Sequence, residues 1–185
     1  MAYIELQNDY PGILGPMAYR PQTAQPLSDL AEALLRSENS LTRGERELIA
    51  AFVSSLNDCF YCEHAHGSIA QYYLECDTEF IEAVKKDFIS SGVSNKIKVL
   101  LWIASSVQKG GKYVTQEQVD TAKSLGITDY EIHDTVLIAA AFSMYNRYVD
   151  GLGTCAPEDK NFYINRAQQR AEEGYANYDT SRIDN

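Results

Sequence analysis

Four cysteines are all that this sequence holds in 185 residues. That is too few for a small secreted fold stapled by disulfides. Long apolar runs are missing too. The longest, Val136 to Phe142, falls far short of the roughly 20 residues that cross a bilayer. The start, Met1-Ala2-Tyr3-Ile4-Glu5-Leu6, has neither the basic opening nor the apolar stretch of a secretion signal. Basic residues are in deficit: 16 Lys and Arg stand against 26 Asp and Glu, a formal charge of −10. No basic patch interrupts that excess, which argues against nucleic acid and anionic membranes as partners. A reducing cytoplasm is the expected location. There a close cysteine pair is redox-active or metal-binding rather than a permanent staple.

What is present reads as helix after helix. No segment alternates with period two, and no hairpin turn joins strand-like runs. Residues 1–20 hold Pro11, Gly12, Gly15 and Pro16 and read as an irregular N-terminal arm. Pro21 suits the first turn of a helix with Leu27, Leu30, Leu34 and Leu35 on one face. Thr42-x-x-Glu45, Thr115-x-x-Gln118 and Thr128-x-x-Glu131 match capping boxes. Asp77 or Thr78, and Ser94, are further cap candidates, the first for a short helix through Phe88. Asn57 or Asp58 can cap a helix from about Cys59 to Leu74, and Asp129 to Val149 reads as a buried central helix. A last polar helix starts near Pro157 and frays after Ala176, before a polar, mobile tail at 178–185. A capped helix and small-residue turn recur near 43–67 and 128–153, an echo of helix-hairpin duplication. The expected fold is all-α: one domain, 1–185, a bundle of roughly seven to nine helices.

The chemistry-bearing stretch is Cys59-Phe60-Tyr61-Cys62-Glu63-His64-Ala65-His66. At about 100° per residue, Cys59, Cys62 and His66 share one helix face, and His64 falls on the far side. Cys59 sits at the helix start, where the dipole favours an anion. Cys62 has an imidazole one turn on. Both influences are expected to lower thiol pKa. A thiolate attacks a peroxide O–O bond and becomes a sulfenic acid. A second thiol in reach condenses with it to a disulfide, which an external dithiol then reduces. Helix-terminus logic favours Cys59 as the attacking thiol and imidazole proximity favours Cys62, so the order is open at this point. A carboxylate on His66 would orient its ring. Glu47 is a candidate, with Glu45 and Glu63 competing on spacing. Other readings exist: a buried apolar cysteine pair, or a zinc site on Cys59, Cys62 and His66 with Cys76 as the only nearby fourth thiol. His64 and His133 read as surface residues, and Cys76 and Cys155 as incidental thiols. Phe52, Tyr72, Tyr73 and Tyr145 read as core or subunit contacts.

Glu47, eleven residues, Cys59-x-x-Cys62, three residues and His66 together resemble the signature of the alkylhydroperoxidase D family, in the carboxymuconolactone decarboxylase-like superfamily. The surrounding sequence is similar to its peroxidase-related subgroup, in Pro11-Gly12-Ile13, Arg20-Pro21, Gly44-Glu45-Arg46-Glu47, Asn146-Arg147 and Gly151-x-Gly153. The resemblance implies packed helices assembled as trimers or hexamers. It implies a relay in which Glu47 assists His66 and His66 activates Cys62, the peroxide-attacking thiol, with Cys59 resolving. It also implies a protein-bound lipoyl or other dithiol as reductant, and no haem, flavin or metal. One position departs: members often carry His just before the second cysteine, where this chain has Tyr61. The expected function is a thiol peroxidase. Its alternatives are a non-catalytic redox-sensing oligomer, a zinc-stabilised scaffold and a lactone-processing enzyme.

Overall fold

Side-chain caps set most of the helix starts. Thr42, Asp77, Ser94, Thr115 and Thr128 each accept a hydrogen bond from the backbone N–H three residues on, and Thr42, Thr115 and Thr128 complete capping boxes. The chain, in a computed structural model that describes residues 2–176, runs α1 (Leu14–Tyr19), α2 (Pro21–Arg36), α3 (Arg43–Leu56), α4 (Phe60–Leu74) and α5 (Thr78–Lys86). It continues through α6 (Asn95–Lys109), a 3-10 turn (Gly111–Tyr113), α7 (Gln116–Ser124), α8 (Asp129–Gly151) and α9 (Asn161–Glu173). No strand occurs among the described residues. The all-α expectation therefore holds, with nine α-helices in that span.

Several boundaries differ from the sequence reading. The N-terminal arm is irregular only to Ile13 and then turns through α1. The start of α4 is capped neither by Asn57 nor by Asp58: Cys59 occupies that position, with no side-chain cap bond. Asp58 takes a left-handed conformation instead, φ +57°, as a tight turn between helices demands. Residues 43–67 span two helices whereas 128–153 lie almost wholly in one, so the echo is no structural duplication. The short helix of residues 78–86 stops before Phe88, and α9 begins at Asn161 rather than near Pro157. The tail from Tyr178 lies outside the described residues.

The centre of the fold is α3. Its residues Arg46 to Ser54 are buried without a break, and it contacts α2, α4, α5, α6 and α8. Leu48, Ile49, Phe52 and Val53 fill the core with Leu101 and Ile103 of α6 and Ile138 and Phe142 of α8. Small residues let α4 lie close against it. Gly44 meets Tyr73 and Leu74, where an added Cβ would come within 2.8 Å of Leu74, and Ala51 faces Gly67. The start of α3 thus lies against the end of α4, and the pair is antiparallel. No helix in the described span is long and apolar enough to cross a membrane.

Glu131 ties the start of α8 to its neighbours. Its carboxylate accepts from Thr128 N–H at 2.8 Å, Ser40 Oγ at 2.8 Å and Lys96 Nζ at 2.5 Å. Burial alone would raise its pKa, but the bonds from Lys96, Thr128 and Ser40 outweigh burial and bring it down to about 2. A folded pKa below the unfolded value stabilises fully above the ordinary range of about 4.3 and is lost as pH falls toward 2. Glu131→Gln should therefore cost about 2 kcal/mol at pH 7, held below the full shift by screening at the partly exposed Lys96. Urea unfolding should find that cost shrinking steadily between pH 5 and pH 2; a cost independent of pH would refute it.

Candidate active site

The turn from α3 to α4 carries the two cysteines and is pinned from two sides. Asn57 donates to Asn146 Oδ1 of α8 at 2.8 Å and accepts from Gln108 Nε2 of α6 at 2.9 Å. Asn146 is 1% exposed and also donates to Ser54 Oγ at 3.0 Å. Against this frame Cys59, Cys62 and Val149 form a small buried cluster, with Ile13 and Tyr61 packed on it. Both cysteines are free thiols and within hydrogen-bond reach of one another. Asn146 bonds to Cys62, and Asp150 is a hydrogen-bond partner of Cys59.

The expected lowering of thiol pKa is not found at Cys62. Its hydrogen bond with Cys59 and then burial push the Cys62 thiol well up, with further electrostatic repulsion from Cys59 and Asp150 adding; Asn146 opposes. Helix dipole and imidazole are visible in the sequence; the bond with Cys59 and the burial that outweigh them arise only in the fold. A side chain 3% exposed loses most of the hydration that a thiolate needs. Burial also raises the Asp150 carboxyl, which its bond with Cys59 partly offsets.

On the other side of Cys62, three chain segments converge on His66. Its Nδ1 lies 2.7 Å from Glu47 Oε2, and Glu47 is 1% exposed in the middle of α3. Glu47 is thus the carboxylate at the ring. Glu45 is occupied in the Thr42 capping box, and Glu63 faces Lys85 at 3.5 Å and His64 at 3.2 Å. The second oxygen of Glu47 accepts from the Tyr175 hydroxyl at 2.7 Å, and that hydroxyl lies 3.4 Å from His66 Nδ1. Burial and then the Glu47 charge push the Tyr175 hydroxyl well above its ordinary pKa, so it stays a donor. Glu32 Oε2 of α2 holds this segment by accepting from Tyr175 N–H at 2.6 Å and Ala176 N–H at 3.2 Å. Sequence reading missed Tyr175, because a tyrosine beyond the last helix has no periodic or motif signal. Asn146 was noticed only as part of the resemblance, without a role.

Cys62 and His66, one turn apart, both face a cavity of about 140 Å³. Its wall is largely apolar, with Met17, Leu27, Phe142, Tyr145 and Tyr163 among the lining residues. The His66 ring stands edge-on to Phe142, centroids 4.6 Å apart. Tyr61 lines the cavity as well and lies flat over Gly12, where any Cβ would come within 2.2 Å of its ring. Gly12 also has φ +57°, a backbone region that penalises other residues.

The remaining candidates fall elsewhere. His64 is buried, not on the surface. It packs between Phe60 and Tyr163, contacts the Phe60 carbonyl through Nδ1 at 2.8 Å, and has its pKa pushed down by burial. Helical periodicity put it opposite the cysteines correctly, but α9 covers that side. His133 is exposed beside Asp134, Cys76 is half-buried and Cys155 exposed. Phe52 and Tyr145 are core residues, and Tyr72 is exposed. No group of three or more His, Cys, Asp or Glu among the described residues is placed to hold a metal ion.

Residues 21–85 are similar to the carboxymuconolactone decarboxylase family. The fold is similar to the alkylhydroperoxidase AhpD core of an uncharacterized peroxidase-related protein from Ralstonia eutropha JMP134. The two are 26% identical over 83% of this chain and 80% of that one, with a TM-score of 0.75. An uncharacterized peroxidase-related protein from Silicibacter sp. TM1040 aligns over the same shares at 24% identity and a TM-score of 0.75. No curated protein matches the sequence.

Titrating the reduced protein with iodoacetamide, read peptide by peptide in a mass spectrometer, should give a Cys62 midpoint above the roughly 8.5 of free cysteine. Asn146→Ala removes the hydrogen bond that favours the thiolate, so the Cys62 midpoint should move further up. A midpoint at or below the free value would contradict the burial argument.

Proposed function

We propose that this chain, with its similarity to the carboxymuconolactone decarboxylase family and its alkylhydroperoxidase D-like fold, is a thiol-dependent peroxidase that reduces hydrogen peroxide or organic hydroperoxides. The observation that carries this reading is the juxtaposition around Cys62. One side of the thiol meets a second thiol, and the other side shares a cavity with an imidazole braced by Glu47 at 2.7 Å. Cys62 is the better attacking thiol. It lines the cavity with His66, while Cys59 is 0% exposed and sits behind it at the cap of α4.

The buried thiol is held protonated at rest, so a base must take its proton as attack begins. His66 uses Nδ1 for Glu47, which leaves Nε2 to accept that proton. Glu47 steadies the resulting imidazolium, much as a buried carboxylate does in a hydrolase triad. The Cys62 sulfur attacks the terminal peroxide oxygen, the O–O bond breaks, and the leaving alkoxide takes the proton from the imidazolium. Cys62 is then a sulfenic acid and the substrate an alcohol. The Cys59 thiol attacks that sulfur, water leaves, and the disulfide forms. The balance is one hydroperoxide and two thiols to one alcohol, one water and one disulfide. An external dithiol, such as a protein-bound lipoyl group, returns the two electrons by exchange.

Tyr61 is not a base in this scheme, because burial pushes its hydroxyl pKa up; it walls the cavity instead. The reading includes a cytoplasmic location, where dithiol reductants are maintained. It also includes self-assembly as a trimer or hexamer, for which Leu137 and Met144 on the exposed side of α8 supply apolar surface.

Cys62→Ser should abolish peroxide consumption. Cys59→Ser should consume one equivalent and stop, leaving a sulfenic acid that mass spectrometry detects on Cys62; the reverse pattern would exchange the two roles. Glu47→Gln should slow single-turnover oxidation by about tenfold to a hundredfold, as loss of support to a general base does. An unchanged pH–rate profile in that variant would remove Glu47 from the relay.

A further inference from the structure

The cavity beside Cys62 has a second chemical feature that peroxide reduction as such does not require. One face of α9 lines it with Phe162, Tyr163, Arg166, Ala167 and Arg170. Arg166 and Arg170 are the Lys or Arg residues among the described residues of the wall, and no Asp or Glu is among these. In a chain of formal charge −10, that is a local reversal of sign. The Arg166 guanidinium stands over the Phe162 ring, 4.4 Å from its centroid, an attraction of the cation–π kind. Arg170 is half-buried and has no carboxylate within ion-pair distance among the described residues. It lies near enough to the Tyr61 and Tyr175 hydroxyls to act on both. Glu47, the buried carboxylate that braces His66, has its two oxygens turned to His66 and Tyr175.

The apolar part of the site has room for a ring. The cavity of about 140 Å³ is close to the engineered apolar cavity of about 150 Å³ that holds benzene. We propose that the site recognises a hydroperoxide with a ring-sized apolar body and a carboxylate. The body lies against Phe142, Tyr145 and Tyr163, the carboxylate engages Arg170 within the field of Arg166, and the hydroperoxide faces Cys62. That the reacting group is a hydroperoxide rests on the peroxidase reading above; recognition of a ring with a carboxylate does not. The carboxylate is a spectator of the redox step: its electrons and protons are unchanged while the O–O bond is reduced. A guanidinium in a wall of low polarity binds such a group through charge-assisted bonds, which are stronger than those it makes in water.

Equilibrium binding and turnover together test this on the full reduced chain. Calorimetry with 4-isopropylbenzoate, an unreactive analogue, and its neutral amide should give an acid-over-amide preference of about tenfold or more. Arg170→Gln should erase most of that preference and Arg170→Lys should restore part of it, with the far-UV spectrum of each variant reporting its fold. Raising salt should also erode the preference in the unaltered protein, a readout that needs no variant. Turnover is then compared for cumene hydroperoxide and its 4-carboxy derivative, with kcat/KM expected to favour the latter. Equal binding of acid and amide, or an intact preference in Arg170→Gln, overturns the inference. Equal turnover of both hydroperoxides overturns it while leaving the peroxidase reading in place. Preferential binding of the acid with no turnover of either hydroperoxide overturns the peroxidase reading and leaves the ring-and-carboxylate site standing.

Discussion

Glu47 is the constraint on which the site depends. A carboxylate 1% exposed in the middle of the central helix would cost several kcal/mol if it were left unpaired. Two contacts offset that, and each comes from a different part of the chain: His66 from α4 and Tyr175 from the segment after α9. Satisfying one buried group therefore fixes the rotation of α4 against α3 and anchors the C-terminal segment over both. The close approach at Gly44 and Gly67 permits the same alignment. Cys62 inherits its place from it, because the residue one turn before His66 must face the same cavity.

That placement has a chemical consequence. A cysteine made reactive simply by being ionised needs exposure or strong positive neighbours. Cys62 has neither: it is buried against another thiol, with Asp150 close by. The arrangement favours a thiol that stays protonated at rest; in the proposed peroxidase reaction the proton would be removed during attack rather than before it. Such a thiol is protected from adventitious oxidation, which follows thiolate character and exposure. Asn146 is the counterweight, since it favours the charged form of Cys62 while pinning the turn that carries Cys59.

The outer wall of the cavity comes from α9, and it explains two features that the cysteine motif leaves unexplained. Tyr163 packs edge-on to Phe60 and Tyr61 and close to His64. His64 is thereby buried as a neutral ring instead of meeting solvent. The same helix brings two arginines to the cavity wall of an otherwise acidic protein.

Much of the fold and part of the site were legible in the sequence. Capping boxes at Thr42, Thr115 and Thr128 and the cap at Ser94 marked helix starts correctly, because a cap is a contact between residues three apart. The shared face of Cys62 and His66 followed from helical pitch for the same local reason, whereas Cys59 is the extended cap before α4 and packs behind Cys62. Periodicity could not rank Glu47 above Glu45 and Glu63, since all three lie within reach by spacing; the local cap at Thr42 occupies Glu45, and tertiary packing decided the rest by setting Glu63 against Lys85 and Glu47 against His66. Tyr175 and the burial of His64 were likewise decided by segments that pack from far along the chain, and the upward shift of Cys62 by its contact with Cys59 together with the burial that such packing imposes. The sequence by itself determined which residues could act together within a helix. Only the tertiary structure decided which of them are dry, because burial depends on neighbours a hundred residues away and local pattern carries no record of them.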